Sequence, residues 1–147
     1  MGLLEKITDD MKKAMKNKNK DRMQVLRLLR SDLKKAKIDK KGEFTEEDAM
    51  NVITKAAKNR KESIESYKKG DREDLVKAEQ KELEVIEEYL PEQMSDEEIK
   101  ELVDEVIEET GASSMQDIGK VMGSIMPKVK GKADGSKVQV IVRSKLS

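Results

Sequence analysis

The stretch EVIEEYLPEQMSDEEI, residues 84–99, divides this 147-residue chain into two helical parts. Proline has no amide hydrogen to donate, so Pro91 must stop the helix that runs into it. Ser95 followed by Glu98 forms a capping box, in which each side chain satisfies a free amide at a helix start. We therefore predict two subdomains, an N-terminal helical one over residues 1–92 and a C-terminal one over residues 95–147.

Upstream of Pro91, apolar residues recur at the spacing of about four helices. The first is predicted to end near the polar residues 17–21, and Asp21 is predicted to cap the second. Thr45 with Asp48 resembles a capping box for the third helix, and Gly70 is a suitable end for it. The fourth helix then runs up to the proline.

Downstream of Ser95, the same periodicity predicts shorter helices. Gly111 closes the first, Ser114 with Asp117 opens the second, and Pro127 lies just beyond its end. Gly119 and Gly123 share one face of this second helix. Two such glycines leave room for another backbone, so we interpret them as a packing contact.

The last segment, residues 134–147, is ambiguous between a strand and a helix. Alternate valines fit a strand, whereas a different set fits a helix, namely Val138, Ile141, Val142 and Leu146. Because a lone strand would have no partner, we favour a helix capped by Asp134. The predicted fold is all-α, with about four N-terminal helices followed by a small three-helix C-terminal domain.

The composition excludes several classes of enzyme and of binding site. Cysteine and histidine are both absent, which removes disulfides, thiolate nucleophiles, sulfur metal sites and the usual general base. Carboxylates occur in runs that are typical of solvated helix faces. We predict no catalytic residue, no metal site and no cofactor.

The chain shows no sign of a membrane segment. No apolar run approaches the roughly 18 to 20 residues that span a bilayer. The N-terminus is amphipathic and carries acidic residues, unlike the apolar block of a signal peptide. We therefore expect no membrane partner and a cytoplasmic location.

Charge is segregated along the chain although the net charge is zero. Residues 1–41 carry 14 Lys and Arg against 6 Asp and Glu, and residues 42–111 carry 10 against 23. Residues 112–147 carry 7 against 2. Two basic ends flanking an acidic middle can align a polyanion on one side of a protein.

A secondary basic face is predicted on the second helix. Its members fall within an arc of roughly 80° at helical spacing; they are Arg27, Arg30, Lys34, Lys37 and Lys41. The alternative is a solvated face whose long side chains cover the edge of the core.

The segment KVMGSIMPKVKGKADGSK, residues 120–137, combines lysines with glycines and has almost no acids. Glycines let a backbone approach a ligand, and lysines supply positive charge for phosphates. The candidate contacts are Lys128, Lys130, Gly131, Lys132, Gly135 and Lys137, with Lys120 as a weaker member. Asp134, as the predicted cap, occupies amide donors there and repels phosphate. The alternative is an ordinary basic turn.

Three stretches carry a resemblance to a known family. GKVMGSIMPKVKGKADGSKV, residues 119–138, closely resembles the C-terminal motif of the GatB/YqeY family. The opening LLEKITDDMKKAMKNKNKDRMQVLRLL and the central EVIEEYLPEQMSDEEI also look like free-standing YqeY proteins. The resemblance covers essentially the whole chain.

This resemblance implies a helical N-terminal region and a three-helix C-terminal domain like the tail of the B subunit of the tRNA-dependent amidotransferase. In that enzyme, a carbon–nitrogen ligase with glutamine as amido donor, the tail holds the tRNA. A similar domain is appended to some glutaminyl-tRNA synthetases. The chain shows neither the glycine- and serine-rich amidase segment nor the ATP-using part, so catalysis is not expected from it alone.

The resemblance and the residues together favour a tRNA-binding module without catalysis of its own. The chain has three aromatic residues, too few for a platform on which unpaired bases stack, so a folded RNA would be recognised by shape and phosphates. One alternative is an accessory subunit that joins an amidotransferase, or an aminoacyl-tRNA synthetase, through protein contacts. Another is a helical adaptor that binds a protein and no RNA.

Overall fold

The computed structural model describes residues 2–147, and within them it contains seven α-helices and no strand. This confirms the all-α prediction. The helices are α1 (Leu3–Lys16), α2 (Lys20–Asp39), α3 (Glu46–Lys69), α4 (Glu73–Glu87), α5 (Asp96–Thr110), α6 (Ile118–Val129) and α7 (Gly135–Leu146). A short 3₁₀ turn, Met115–Asp117, leads into α6.

The chain divides into two compact units, one ending at Leu90 and the other spanning Pro91–Ser147. The first contains α1 to α4 and the second contains α5 to α7, and each has a separate apolar core. The second unit includes residues 91–94, which lie outside the predicted subdomain of residues 95–147. That each unit folds as a domain of its own stays a prediction, and the separate cores support it.

In the first unit, α1 packs mainly on α2 and α3 mainly on α4. Its core consists mainly of aliphatic side chains together with Tyr89, and Ile7, Leu26, Leu33, Ile53 and Ile86 are wholly buried. Each such side chain contributes about 1.5–3 kcal/mol through its removal from water.

The capping predictions for this unit are confirmed at α3 and wrong at α2. The Thr45 hydroxyl accepts from the Asp48 amide at 3.1 Å, and the Asp48 carboxylate accepts from the Thr45 amide at 2.8 Å. Gly70 is the residue that follows α3, as predicted. Asn19, and not Asp21, caps α2, with its side-chain oxygen accepting from the Arg22 amide at 3.2 Å. Asparagine caps as well as aspartate does, so the helix begins at the earlier residue.

In the second unit, the caps predicted for the start of α5, the end of α5 and the start of α7 are confirmed. The Glu98 amide donates to the Ser95 hydroxyl at 3.2 Å, and Gly111 ends α5 in the left-handed conformation with φ of +70°. The tail is a helix, and the Asp134 carboxylate accepts from the Ser136 amide at 3.0 Å.

Two expectations for α6 are wrong. Pro127 lies inside the helix rather than beyond it, because α6 continues to Val129, whose side chain is wholly buried in the core of the second unit. Burial of this valine favours continuation of the helix, and Pro127 removes one backbone hydrogen bond from its last turn. Gly119 and Gly123 are not packing contacts, since no atom beyond their chain neighbours and the nearby backbone of α6 lies within 4 Å of where a Cβ on either would be.

Candidate nucleic-acid interface

The predicted phosphate-binding residues lie on and around the turn between α6 and α7, which we call the basic loop (residues 128–137). Gly131 has φ of +76°, a conformation that side chains disfavour. The amides of Lys132 and Ala133 both donate to the Val129 carbonyl, at 2.8 and 3.1 Å. Gly131 therefore serves the turn that ends α6, a local role that the sequence interpretation did not assign to it.

The segment just after Pro91 holds the backbone of this loop in place. The Met94 amide donates to the Lys132 carbonyl at 2.9 Å. The Gln93 side-chain amide donates to the Gly131 carbonyl at 2.8 Å and to the Pro91 carbonyl at 2.9 Å. These bonds hold the carbonyls of two successive loop residues, Gly131 and Lys132.

Sequence reasoning missed Gln93 entirely. Its position directly after a helix-stopping proline marks a chain turn, but nothing local indicates a partner 38 residues away. The hydrogen bonds give the basic loop a defined backbone, from which the side chains of Lys128, Lys130, Lys132 and Lys137 are exposed to solvent.

Lys128 and Lys137 each have an acidic partner on α5. The Lys128 ammonium lies 3.2 Å from a carboxylate oxygen of Glu109, and Lys137 forms an ion pair with Asp96. Lys120 is exposed on α6, one helical turn after Asp117, whose carboxylate accepts from the Ser113 amide at 2.9 Å. That bond holds the pKa of Asp117 below its usual range.

The start of α7 does not provide the free amide donors of an anion site. Asp134 takes the Ser136 amide and adds a negative charge where a phosphate would bind. A Cβ on Gly135 would lie 3.0 Å from the Met126 methyl, so this glycine lets a methionine approach. The basic loop therefore depends on its lysine side chains for any contact with an anion.

The secondary basic face is only partly on α2. Arg27, Lys34 and Lys37 are exposed on the helix. Arg30 is half-buried, and its Nε donates to the Thr8 hydroxyl of α1 at 3.2 Å. Lys41 lies beyond the end of α2, so its placement on this helix face was wrong.

The helix α2 ends at Asp39, and the chain changes direction at the following residue, Lys40. Its backbone is extended, and its ammonium forms an ion pair with Asp48 in the capping box of α3. The chain thus leaves the helix before Lys41 to reach the start of α3.

An open groove of about 610 Å³ lies between α2 and α4. It is lined by side chains of both charges, and across it Arg22 and Glu88 form an ion pair of 2.6 Å. Within residues 2–147, no three acidic side chains are placed to hold a metal ion. None of the helices in that range is both long and apolar enough to cross a membrane.

Comparison with known proteins places the chain in a family. The family model described as "Yqey-like protein" matches residues 4–146. A relative from Pyrenophora tritici-repentis is 34% identical, over 97% of this chain and 82% of its own length. One from Lachancea thermotolerans is 40% identical over 55% of this chain and 44% of its own length. One from Saccharomyces cerevisiae (strain YJM789) is 31% identical over 79% of this chain and 66% of its own length.

All three relatives bear the name "Altered inheritance of mitochondria protein 41, mitochondrial". The names describe those relatives as mitochondrial proteins, which contradicts the cytoplasmic location expected from the sequence. The expectation relied on the absence of an apolar signal peptide, a criterion that does not test for mitochondrial targeting, whose segments are amphipathic. The match along nearly the whole chain shows that this protein belongs to the Yqey-like family.

Proposed function

We propose that this protein is a tRNA-binding module that acts without catalysis of its own. The observation that carries the proposal is the basic loop, whose backbone is held by Gln93 and Met94 while its lysines are exposed. Because the backbone is already fixed, binding of phosphates by these lysines orders only their side chains and not the loop itself, which favours binding to a folded RNA.

The aromatic side chains support recognition by shape rather than by stacking on bases. Tyr89 is only 7% exposed, and both Phe44 and Tyr67 are half-buried. Proteins that bind unpaired bases present exposed aromatic rings, whereas recognition of a structured RNA relies on phosphate and ribose contacts. A compact RNA such as tRNA fits these properties, and the family resemblance to the amidotransferase tail names the same ligand.

The test is binding of purified protein to folded tRNA across a salt series, with duplex DNA as competitor. Each phosphate contact contributes roughly −0.7 to −0.9 to the slope of log affinity against log salt, so four lysines predict a slope of about −3 to −4. Replacing Lys128, Lys130 and Lys132 with Ala is expected to reduce the salt dependence to a slope of about −1 and to weaken tRNA binding about tenfold or more.

A matched control removes three exposed lysines from the acidic part of the chain, through Lys77→Ala, Lys81→Ala and Lys100→Ala. It changes the net charge by the same amount as the loop variant. Because its three lysines lie outside the basic loop, it should keep most of the affinity for tRNA and most of the salt dependence. Equal loss in both variants would remove the basic loop as the site. Absence of tRNA binding at low salt, together with nuclease-resistant co-purification of amidotransferase subunits, would favour an accessory subunit instead.

A further inference from the structure

Three ion pairs join acidic residues of α5 to basic residues of α6 and α7. Glu109 pairs with Lys128, Asp96 with Lys137, and Asp104 with Lys145. In the first and third pairs the charged atoms lie 3.2 Å apart. Two of the three lysines belong to the basic loop, so α5 already occupies part of the surface assigned to phosphate.

The composition of α5 makes it an effective partner for lysines. Its 15 residues, DEEIKELVDEVIEET, include eight carboxylates and a single lysine. The side chains that face the core are aliphatic, so the acids line the exposed sides of the helix. The helix thus presents rows of negative charge beside the neighbouring lysines, as a nucleic-acid backbone does.

We propose that α5 is an intramolecular competitor, whose carboxylates hold Lys128 and Lys137 until RNA phosphates replace them. This inference rests on the proposed RNA-binding function of the basic loop. It adds a determinant of affinity and selectivity, since a polyanion must displace Glu109 and Asp96 to engage these lysines. Ligands with few or widely spaced charges are thereby disfavoured.

The pairs are open enough to exchange. The side chains of Lys128 and Glu109 are 42% and 53% exposed, and those of Lys137 and Asp96 are 51% and 59% exposed. Exposed ion pairs contribute only modestly to stability, because water screens them and both side chains lose freedom. Breaking such a pair therefore costs the fold little, whereas the freed carboxylate beside a bound phosphate lowers the affinity for RNA.

The test compares two charge-matched double variants of the full chain. The first, Asp96→Asn with Glu109→Gln, removes the two carboxylates that pair with loop lysines, and we call it the paired variant. The second, Glu101→Gln with Glu105→Gln, removes two exposed carboxylates of the same helix that form no ion pair within residues 2–147. Both variants raise the net charge by the same amount, and thermal melts check that each one folds.

The expected result is a dissociation constant for folded tRNA that falls about tenfold in the paired variant and less than about twofold in the control. Adding Lys128→Ala and Lys137→Ala to the paired variant should abolish the gain, because the lysines that the acids held are gone. If the paired variant binds tRNA and the wild type does not, the carboxylates compete more strongly than a tenfold change in affinity implies. That result also supports the inference.

Two outcomes would overturn the inference, and they differ. If the wild type binds through the basic loop but the paired variant gains no more than the control, the competition is wrong and the RNA-binding function stands. If neither the wild type nor any acid variant binds tRNA at low salt, the function and the competition are both wrong.

Discussion

Tyr89 connects the end of α4 to α1 through its phenol. Its hydroxyl donates to the Asp10 carboxylate at 2.6 Å, and the Lys6 ammonium lies 5.7 Å from the centre of its ring. The side chain is almost entirely buried. Burial first, and then the bond to Asp10, raise the pKa of Tyr89 well above its ordinary value, because both disfavour the phenolate.

A raised pKa means that the fold favours the protonated phenol. Its contribution to stability is complete below about pH 10, the unfolded pKa of tyrosine, and is lost as the pH rises above that value. Because the chain has two tyrosines, Tyr67→Phe leaves Tyr89 as the sole phenol for an absorbance titration. We expect phenolate to appear only as circular dichroism reports unfolding. Phenolate formation near pH 10 in the folded protein would contradict this.

At the scale of the helices, the features predicted correctly are those that depend on neighbours in sequence. Ser95 with Glu98 and Thr45 with Asp48 are three residues apart, and their capping geometry follows from that spacing. The bond from Gln93 to Gly131 and the pair of Glu109 with Lys128 join distant residues, so no local pattern predicts them.

Two of the errors occur where contacts between distant residues compete with a local rule. Proline rules end α6 before Pro127, but burial of Val129 extends the helix. The helical spacing of the basic residues places Lys41 on α2, but α2 ends at Asp39, and the extended backbone of Lys40 leads towards α3, where its ammonium pairs with Asp48. The lysines of the basic loop were named from sequence, whereas the backbone that positions them was not.

The capping box of α3 provides a prediction about acid stability. The bond from Lys40, followed by that from the Thr45 amide, lowers the pKa of Asp48 to about 2. A depressed pKa gives stability that is present above about pH 4 and is lost as the pH falls from 4 to 2. In melting curves, Asp48→Asn should therefore lower Tm at pH 6 and converge with the wild type near pH 2. A difference in Tm that does not change between pH 6 and pH 2 would contradict the assignment.

At the scale of the whole molecule, acidic and basic residues that are separated along the sequence lie next to one another on the folded surface. The acidic middle of the chain includes α5, and the basic C-terminal end includes α6 and α7. These helices share one unit, where carboxylates of α5 pair with Lys128, Lys137 and Lys145. Folding therefore neutralises part of the basic end, and the accessible charge depends on how readily those pairs exchange.

The separate cores lead to a prediction about the second unit as an isolated fragment. Residues 91–147 contain the whole buried cluster of α5, α6 and α7 together with Gln93 and Met94, so we expect them to fold alone with a cooperative thermal transition. A shorter fragment, residues 95–147, keeps every fully buried core residue but loses the side chain of Met94, which packs against the core, and the two donors that hold the Gly131 and Lys132 carbonyls. At roughly 1 kcal/mol for each hydrogen bond, it should be about 2 kcal/mol less stable to urea.

Equal stability of the two fragments would show that residues 91–94 do not hold the basic loop. A non-cooperative melt of the longer fragment would show that this unit is not an independent domain.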